Sequence, residues 1–194
     1  MSLPSPDRIV ALSCINVGAG PGGSTPMLAR VSLVNFRGET LCDTYVAPTM
    51  PVTDYRTATT GIDPKTLTSS STPKFQLVQA DVAQLIKGKI VVGHSLWNDL
   101  SVLGIPHPAV CTRDVALYQP FRNALRSPNQ VIGLQTLMWH LMCRRCQDGQ
   151  LDSLENARAT LDLYRSVAED WENAVANNNW PSSLPPSTFS RCYT

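Results

Sequence analysis

The stretch Lys89–Leu103, "KIVVGHSLWNDLSVL", decides how the chain is expected to fold. Its first part, Lys89–Gly93, is a short apolar run that predicts a fully buried strand. Its second part, Trp97–Leu103, predicts a short helix, and the run Val110–Leu117 predicts the next strand. Strands that alternate with helices in this way form parallel pairs with the helices on the faces of the sheet.

Three further β-prone runs precede this unit. They are Ile9–Val17, Leu28–Phe36 and Leu41–Val46, and the short turn segments between them predict an antiparallel meander. The polar, turn-rich segment Pro48–Leu67 predicts a long surface loop of the kind that carries function or lies next to it.

Helical spacing of apolar residues predicts three more helices, at Phe75–Ile86, Gly133–Met142 and Leu154–Val175. The predicted fold class is therefore α/β, with a mixed sheet of three antiparallel strands followed by parallel strands and flanked by helices. We expect one domain over residues 8–176, between a flexible N-terminus at 1–7 and a Pro/Ser/Asn-rich tail at 177–194 that is disordered or laid over the surface.

Composition limits the possible functions. The 194 residues carry a formal net charge of +1, so the chain has no overall electrostatic attraction for nucleic acid. No apolar run is long enough to span a bilayer, which predicts no membrane partner. The six cysteines show no disulfide framework and are expected to be reduced and intracellular, and the lone pair Cys143 and Cys146 lacks the further ligands of a zinc site.

Several local motifs connect the chain to a known family. They are "LARVSLVN" (Leu28–Asn35), "VTDYRTATTGI" (Val52–Ile62), "KIVVGHSLWNDLSVL" (Lys89–Leu103), "TRDVALY" (Thr112–Tyr118) and "ENARATLDLY" (Glu155–Tyr164). Together they closely resemble the DEDDh 3′-5′ exonucleases of the ribonuclease H-like fold. The most similar branch contains the interferon-stimulated RNA exonuclease and the ribosomal-RNA-processing RNA exonucleases. The resemblance covers residues 8–167 and implies a location in the nucleus or the cytoplasm.

The resemblance also implies a chemistry. In this family the first strand ends in Asp-x-Glu, and alternation along a strand puts both carboxylates on one face. A third Asp follows the glycine-histidine strand, and a His and a fourth Asp accompany the last helix. Two Mg²⁺ or Mn²⁺ ions bridged by these carboxylates stabilise the phosphodiester displacement, and the His activates the attacking water.

This chain departs from that pattern at most catalytic positions. The first Asp position is Ser13 and the Glu position is Ile15, whereas the His position is Leu151 and the final Asp position is Asn156. Only Asp99 is retained. One carboxylate is too little charge to hold two dications against their hydration. The sequence therefore predicts a pseudo-exonuclease that needs no cofactor, with Mg or Mn required only if activity is retained.

Two alternatives remain open at this point. A rebuilt one-metal site could form from Asp99, Asp114 and Asp152, which would give a residual 3′-5′ exonuclease on single-stranded RNA or DNA. Against it, Asp152 directly before Ser153 and an apolar-periodic helix is the usual pattern of an N-terminal helix cap.

Binding without catalysis is the second possibility. The resemblance implies that Gly61, Ile62, His94, Trp97 and Asn98 border the pocket for a 3′-terminal nucleotide, so the domain could bind an RNA or DNA 3′ end. A protein-interaction module is the other interpretation, and the near-zero charge favours it. Further side chains that could stack on bases or contact phosphates are Tyr55, Arg56, Arg113, Tyr118 and Arg122.

Overall fold

Six strands form one mixed sheet in the computed structural model, which describes residues 3–194. The strand order is β3-β2-β1-β5-β6, and β4 pairs with the end of β1. β1 is antiparallel to β2 and parallel to β5, and β5 is parallel to β6, which confirms the predicted mixed sheet. The strands are β1 (Ile9–Ala19), β2 (Thr25–Asn35), β3 (Thr40–Tyr45), β4 (Val52–Asp54), β5 (Ile90–Gly93) and β6 (Thr112–Asp114).

Helices cover both faces of this sheet. On one face, Val10 and Leu12 of β1 pack in a cluster with residues of α3 and α4. On the other face, Ile9 and Ala11 pack in a cluster with residues of α6 and α7. The helices are α1 (Thr57–Thr60), α2 (Pro64–Thr68), α3 (Phe75–Ile86), α4 (Leu96–Leu103), α5 (Gln119–Ala124), α6 (Leu134–Met142) and α7 (Ser153–Ala176).

The structure differs from the sequence prediction in three connecting regions. The predicted loop Pro48–Leu67 contains β4, α1 and α2. The predicted strand Val110–Leu117 is reduced to β6, because a 3₁₀ turn at Ala109–Cys111 precedes it and the chain turns after Asp114. Helix α5 was not predicted, since its six residues are too few to show a clear period.

Asp114 explains why β6 ends where it does. Its carboxylate accepts backbone N–H groups from Ser95 at 2.9 Å, from Leu96 at 2.7 Å and from Ala116 at 3.0 Å. The side chain thus satisfies free donors at the start of α4, where Ser95 has a left-handed φ of 57°, and fixes the turn after its own strand. Asp114 therefore joins β6 to α4.

The C-terminal segment lies against the domain. Residues 1 and 2 of the N-terminus predicted to be flexible are outside the described part, and Pro6–Arg8 form a 3₁₀ turn. The segment 177–194 lies over α4 and the end of β6, where the Gln119 N–H donates to the Pro181 carbonyl and the His107 N–H to the Cys192 carbonyl. None of the helices within residues 3–194 has both the length and the apolar character needed to cross a membrane.

Replacing Asp114 is expected to destabilise the fold strongly. Asp114→Ala leaves three buried N–H donors without their acceptor, and we expect the free energy of unfolding to fall by about 2–4 kcal/mol. Urea unfolding measures this change. The matched control is Asp148→Ala, whose exposed carboxylate is paired only with Arg145 at 3.8 Å and should change stability by less than about 0.5 kcal/mol. Equal effects of the two substitutions would contradict the role of Asp114.

Candidate functional site

The candidate site lies where the second half of β1 meets the starts of α4 and α7. β1 supplies Ser13 and Ile15, and α4 supplies Asp99 in its first turn. Leu151 lies just before α7, and Asn156 lies in the first turns of that helix. These are the positions to which the family resemblance assigns the catalytic groups.

Apolar packing dominates one half of this site. Ile15 is only 3% exposed and belongs to a buried cluster with Ile62 and Leu67. Leu151 is half-buried and packs against the same cluster. The side chains at the positions expected to hold a glutamate and a histidine therefore occupy the site as part of a hydrophobic core.

The segment between α6 and α7 holds this arrangement in place. The Leu151 N–H donates to the Thr59 carbonyl at 2.8 Å. Its neighbour Gln150 lies directly against Gly61, where an added Cβ would come within 2.9 Å of the glutamine Cδ, and Gly61 has a left-handed φ of +68°. Gly61 is thus required by a turn and by a close contact.

A second contact binds the same segment to α7. The Gln147 side chain donates from Nε2 to Oδ1 of Asn156 at 2.9 Å, and the Gln147 N–H donates to the Glu155 carboxylate at 2.9 Å. Asn156 is itself buried. The position expected to carry the last aspartate is therefore an amide that accepts a hydrogen bond from within the domain.

Asp99 is buried without a compensating cation. It is 7% exposed, and its pKa is raised well above the usual range, first by burial and then by the negative charge of Asp114. The backbone N–H of Cys14 opposes the shift only in part. Ser13, on the same strand as Cys14, lies opposite Ser32 of β2. Burial and the neighbouring Asp114 therefore disfavour ionisation of the Asp99 carboxyl.

Two residues of the alternative metal site predicted from Asp99, Asp114 and Asp152 have other partners in the structure. The Asp152 carboxylate caps α7 by accepting the Glu155 N–H at 2.8 Å, which confirms the predicted cap, and it pairs with Arg30 at 2.9 Å. Burial raises the pKa of Asp152, but these two donors hold it below its usual value. Asp114 is bound by backbone N–H groups, and within residues 3–194 no three His, Cys, Asp or Glu side chains group as metal ligands.

Two of the residues predicted to border a nucleotide pocket are buried. Ile62 and Trp97 are core side chains: Ile62 belongs to the Ile15 cluster, and Trp97, 5% exposed, packs with residues of the C-terminal segment. His94 is half-buried and donates from Nε2 to the Ile132 carbonyl at 2.7 Å. Asn98 is exposed, and Gly61 lies under Gln150.

The other candidate stacking and phosphate-contacting side chains are mostly structural. Arg113 is buried and makes a two-point ion pair with Glu172 at 2.6 and 2.8 Å. Tyr118 is buried and stacks on Trp171 with ring centroids 4.1 Å apart. The remaining three are Arg122, which is buried, Tyr55, which is half-buried, and Arg56, which is exposed and donates to the Gly23 carbonyl.

Sequence reasoning missed three residues that shape the site. Gln147 and Gln150 carried no signal, because the irregular segment around them has no period to interpret. Arg30 did carry one: it is the one charged residue in β2, and a charged residue in a largely buried strand needs a partner. It pairs with both Asp43 and Asp152, and so links β3 to the cap of α7.

Comparisons with known proteins give a consistent result. A family model described as Exonuclease matches residues 14–163. The protein named RNA exonuclease 4 from Mus musculus is 40% identical over 178 residues, which are 92% of this chain and 40% of that protein. The protein of the same name from Homo sapiens is 42% identical over 94% of this chain and 42% of its own length. The chain thus spans about two-fifths of these curated relatives.

Solved structures agree in fold. The Pan2 pseudoubiquitin hydrolase-RNA exonuclease module of Saccharomyces cerevisiae in complex with A7 RNA superposes with a TM-score of 0.71 and 27% identity. The match covers 92% of this chain and 33% of that one. The Neurospora crassa Pan2 catalytic unit shares the fold, with a TM-score of 0.71 and 24% identity. This match covers 92% of this chain and 29% of that one.

Removing the buried charge at Asp99 is expected to stabilise the protein. The pKa of Asp99 is higher in the folded protein than in the unfolded chain, where it is about 4. The protonated side chain therefore contributes its full stability below about pH 4, and this contribution is lost as the pH rises through the pKa of the folded state. Asp99→Asn cannot ionise, so we expect it to raise the free energy of unfolding at neutral pH by on the order of 1 kcal/mol. Urea unfolding at several pH values measures this gain, which should disappear in acid. A pH-independent difference would contradict the assignment.

Restoring a carboxylate at Ile15 alone is expected to destabilise the protein. Ile15→Glu places a charged group in the apolar cluster with Ile62 and Leu67, and we expect a loss of about 3 kcal/mol at neutral pH. The loss should shrink in acid, where the new side chain is neutral. The control Ile15→Val removes one methylene and should cost about 1 kcal/mol at every pH. Thermal unfolding measures both, and a well-tolerated glutamate would show that the position is open to water.

Proposed function

The chain belongs to the exonuclease family, and we propose that it is a pseudo-exonuclease, a member that keeps the fold, has lost catalysis and acts as a binding module. The observation that carries this proposal is the shared apolar cluster of Ile15 and Leu151. These two positions are those at which the family resemblance implies a metal-binding glutamate and a general base. Neither side chain can bind a cation or accept a proton.

The metal ions that the family normally uses do not fit this donor set. Mg²⁺ and Mn²⁺ need several oxygen ligands with negative charge. At the family's catalytic positions the chain offers one carboxyl, Asp99, whose pKa is raised by burial, together with a serine hydroxyl at Ser13 and an amide at Asn156. The amide oxygen of Asn156 already accepts a hydrogen bond from Gln147. We therefore derive no hydrolytic step through a metal ion.

RNA is the partner that the relatives favour. The curated relatives are named as RNA exonucleases, and the Pan2 structure contains an RNA strand. A protein partner is the second candidate, and the net charge of +1 supports it because phosphate binding depends on positive charge.

The decisive experiment compares the wild-type protein with Asp99→Ala on a labelled single-stranded RNA and the equivalent DNA, in Mg²⁺ and in Mn²⁺. We expect no shortening of either strand by either protein, because the donor set cannot hold the metal ions. Gel electrophoresis reads bound and shortened species together. Shortening by the wild type that Asp99→Ala abolishes would restore the enzyme interpretation and overturn the proposal.

Two further variants make the result specific. The control Asp148→Ala removes an exposed carboxylate. The substitution should leave the activity of any contaminating nuclease unchanged, so shortening by this variant reveals a contaminant. The fourfold variant Ser13→Asp, Ile15→Glu, Leu151→His and Asn156→Asp rebuilds the donor set implied by the family. Metal-dependent shortening by this variant alone would show that these positions are what the wild type lacks.

A further inference from the structure

We propose that a basic groove at the end of the sheet opposite the candidate site binds the phosphate group of a nucleotide, either free or within a single strand of RNA. The groove has a volume of about 660 Å³. Phe36, Arg37, Lys89 and Arg165 line it, together with Asp7, Asn35 and Leu41. This volume lies in the range of small-molecule sites in proteins.

The position of the groove separates it from the family's catalytic end. It lies where β1 and β5 begin and β2 ends, since Ile9 and Lys89 line it. Ile15 lies six residues further along β1, a distance of about 20 Å at the usual rise of a strand. A ligand in the groove therefore does not touch Asp99 or the Ile15 cluster.

Positive charge in the groove is largely uncompensated. Arg37 and Lys89 form no ion pair with any residue in the range 3–194. Arg165 approaches Asp162 at 3.4 Å, but that carboxylate is also bound by Arg144 at 2.6 Å. Among the residues that the structure describes, Asp7 is the only acid that lines the groove, so three cations face one anion. An anionic ligand would supply the missing charge.

The backbone around these cations is fixed before any ligand arrives. The Arg37 N–H donates to Oδ1 of Asn35 at 2.9 Å, and Gly38 completes the turn with a φ of +83°. From α7, the Arg158 side chain donates to the Gly38 carbonyl at 3.1 Å. On the other side, the Lys89 carbonyl accepts a hydrogen bond from the His107 ring at 2.9 Å. Preorganised groups of this kind lose less entropy on binding.

An aromatic wall favours a nucleotide over a bare anion. The Arg165 guanidinium lies 5.5 Å from the ring centroid of Phe36, which is half-buried at the end of β2. Planar guanidinium groups and aromatic rings are the surfaces on which unpaired bases stack. Arg37 and Lys89 can then contact the phosphate, because both groups bind phosphate oxygens by charge-assisted hydrogen bonds.

The test measures binding of a fluorescein-labelled single-stranded RNA by anisotropy, with AMP and inorganic phosphate as competitors. The groove variant is Arg37→Glu with Lys89→Glu, and the control is Lys65→Glu with Arg126→Glu. The control has the same change in net charge, and its two residues are exposed and form no ion pair within residues 3–194. If thermal unfolding shows that the groove variant is not folded, Arg37→Gln with Lys89→Gln replaces it.

We expect the groove variant to raise the Kd for RNA about tenfold or more and to reduce the slope of log Kd against log salt concentration by about one to two. The control should change neither quantity as much.

Displacement of the RNA by AMP would assign the site to a single nucleotide, and RNA binding that AMP does not displace would assign it to the backbone of the strand. Equal losses in the groove variant and the control would overturn the proposal. So would no saturable binding of any probe at about 100 µM protein. The measurement reads binding rather than shortening, so its failure would leave the proposed loss of catalysis untouched.

Discussion

The whole architecture depends on burying β1 on both faces and pairing it on both edges. β2 and β5 take the two edges, α3 and α4 cover one face, and α6 and α7 cover the other. Ile9–Ser13 and Ile15 of this strand are buried, and a charge at such a position would lose its hydration. Where the family resemblance implies two carboxylates, β1 has Ser13 and Ile15. Ile15 extends the hydrophobic packing of the strand.

Much of this fold could be predicted from the sequence, because the main elements have strong periods. The predicted helix Phe75–Ile86 has the observed bounds, and the buried run before Gly93 is β5. Where the structure differs from the sequence prediction, contacts between residues far apart in the chain are the reason. The Asp114 carboxylate ends β6 by binding N–H groups of α4, and no local pattern in β6 records that partner. Trp97 is core because a segment almost a hundred residues later covers it.

In the candidate site, too, local sequence predicts some features and non-local contacts determine the others. Its positions could be identified from short motifs, and Asp152 was recognisable as a helix cap from its neighbours alone. What fills the site could not be foreseen, since Gln147 and Gln150 lie in an aperiodic segment and act through contacts with α7 and with Gly61. The short motifs thus indicate where the site lies, whereas non-local contacts decide what surrounds it.

The segment between α6 and α7 is bound at several points at once, through Leu151 to Thr59, through Gln150 to Gly61 and through Gln147 to Asn156. Rotation of one side chain cannot displace this segment from the domain, because all of these contacts must break first. Opening would be a local unfolding event, shared by α1 and the first turn of α7. Access to the space behind this segment therefore depends on that unfolding equilibrium and not on the rotamer of a single side chain.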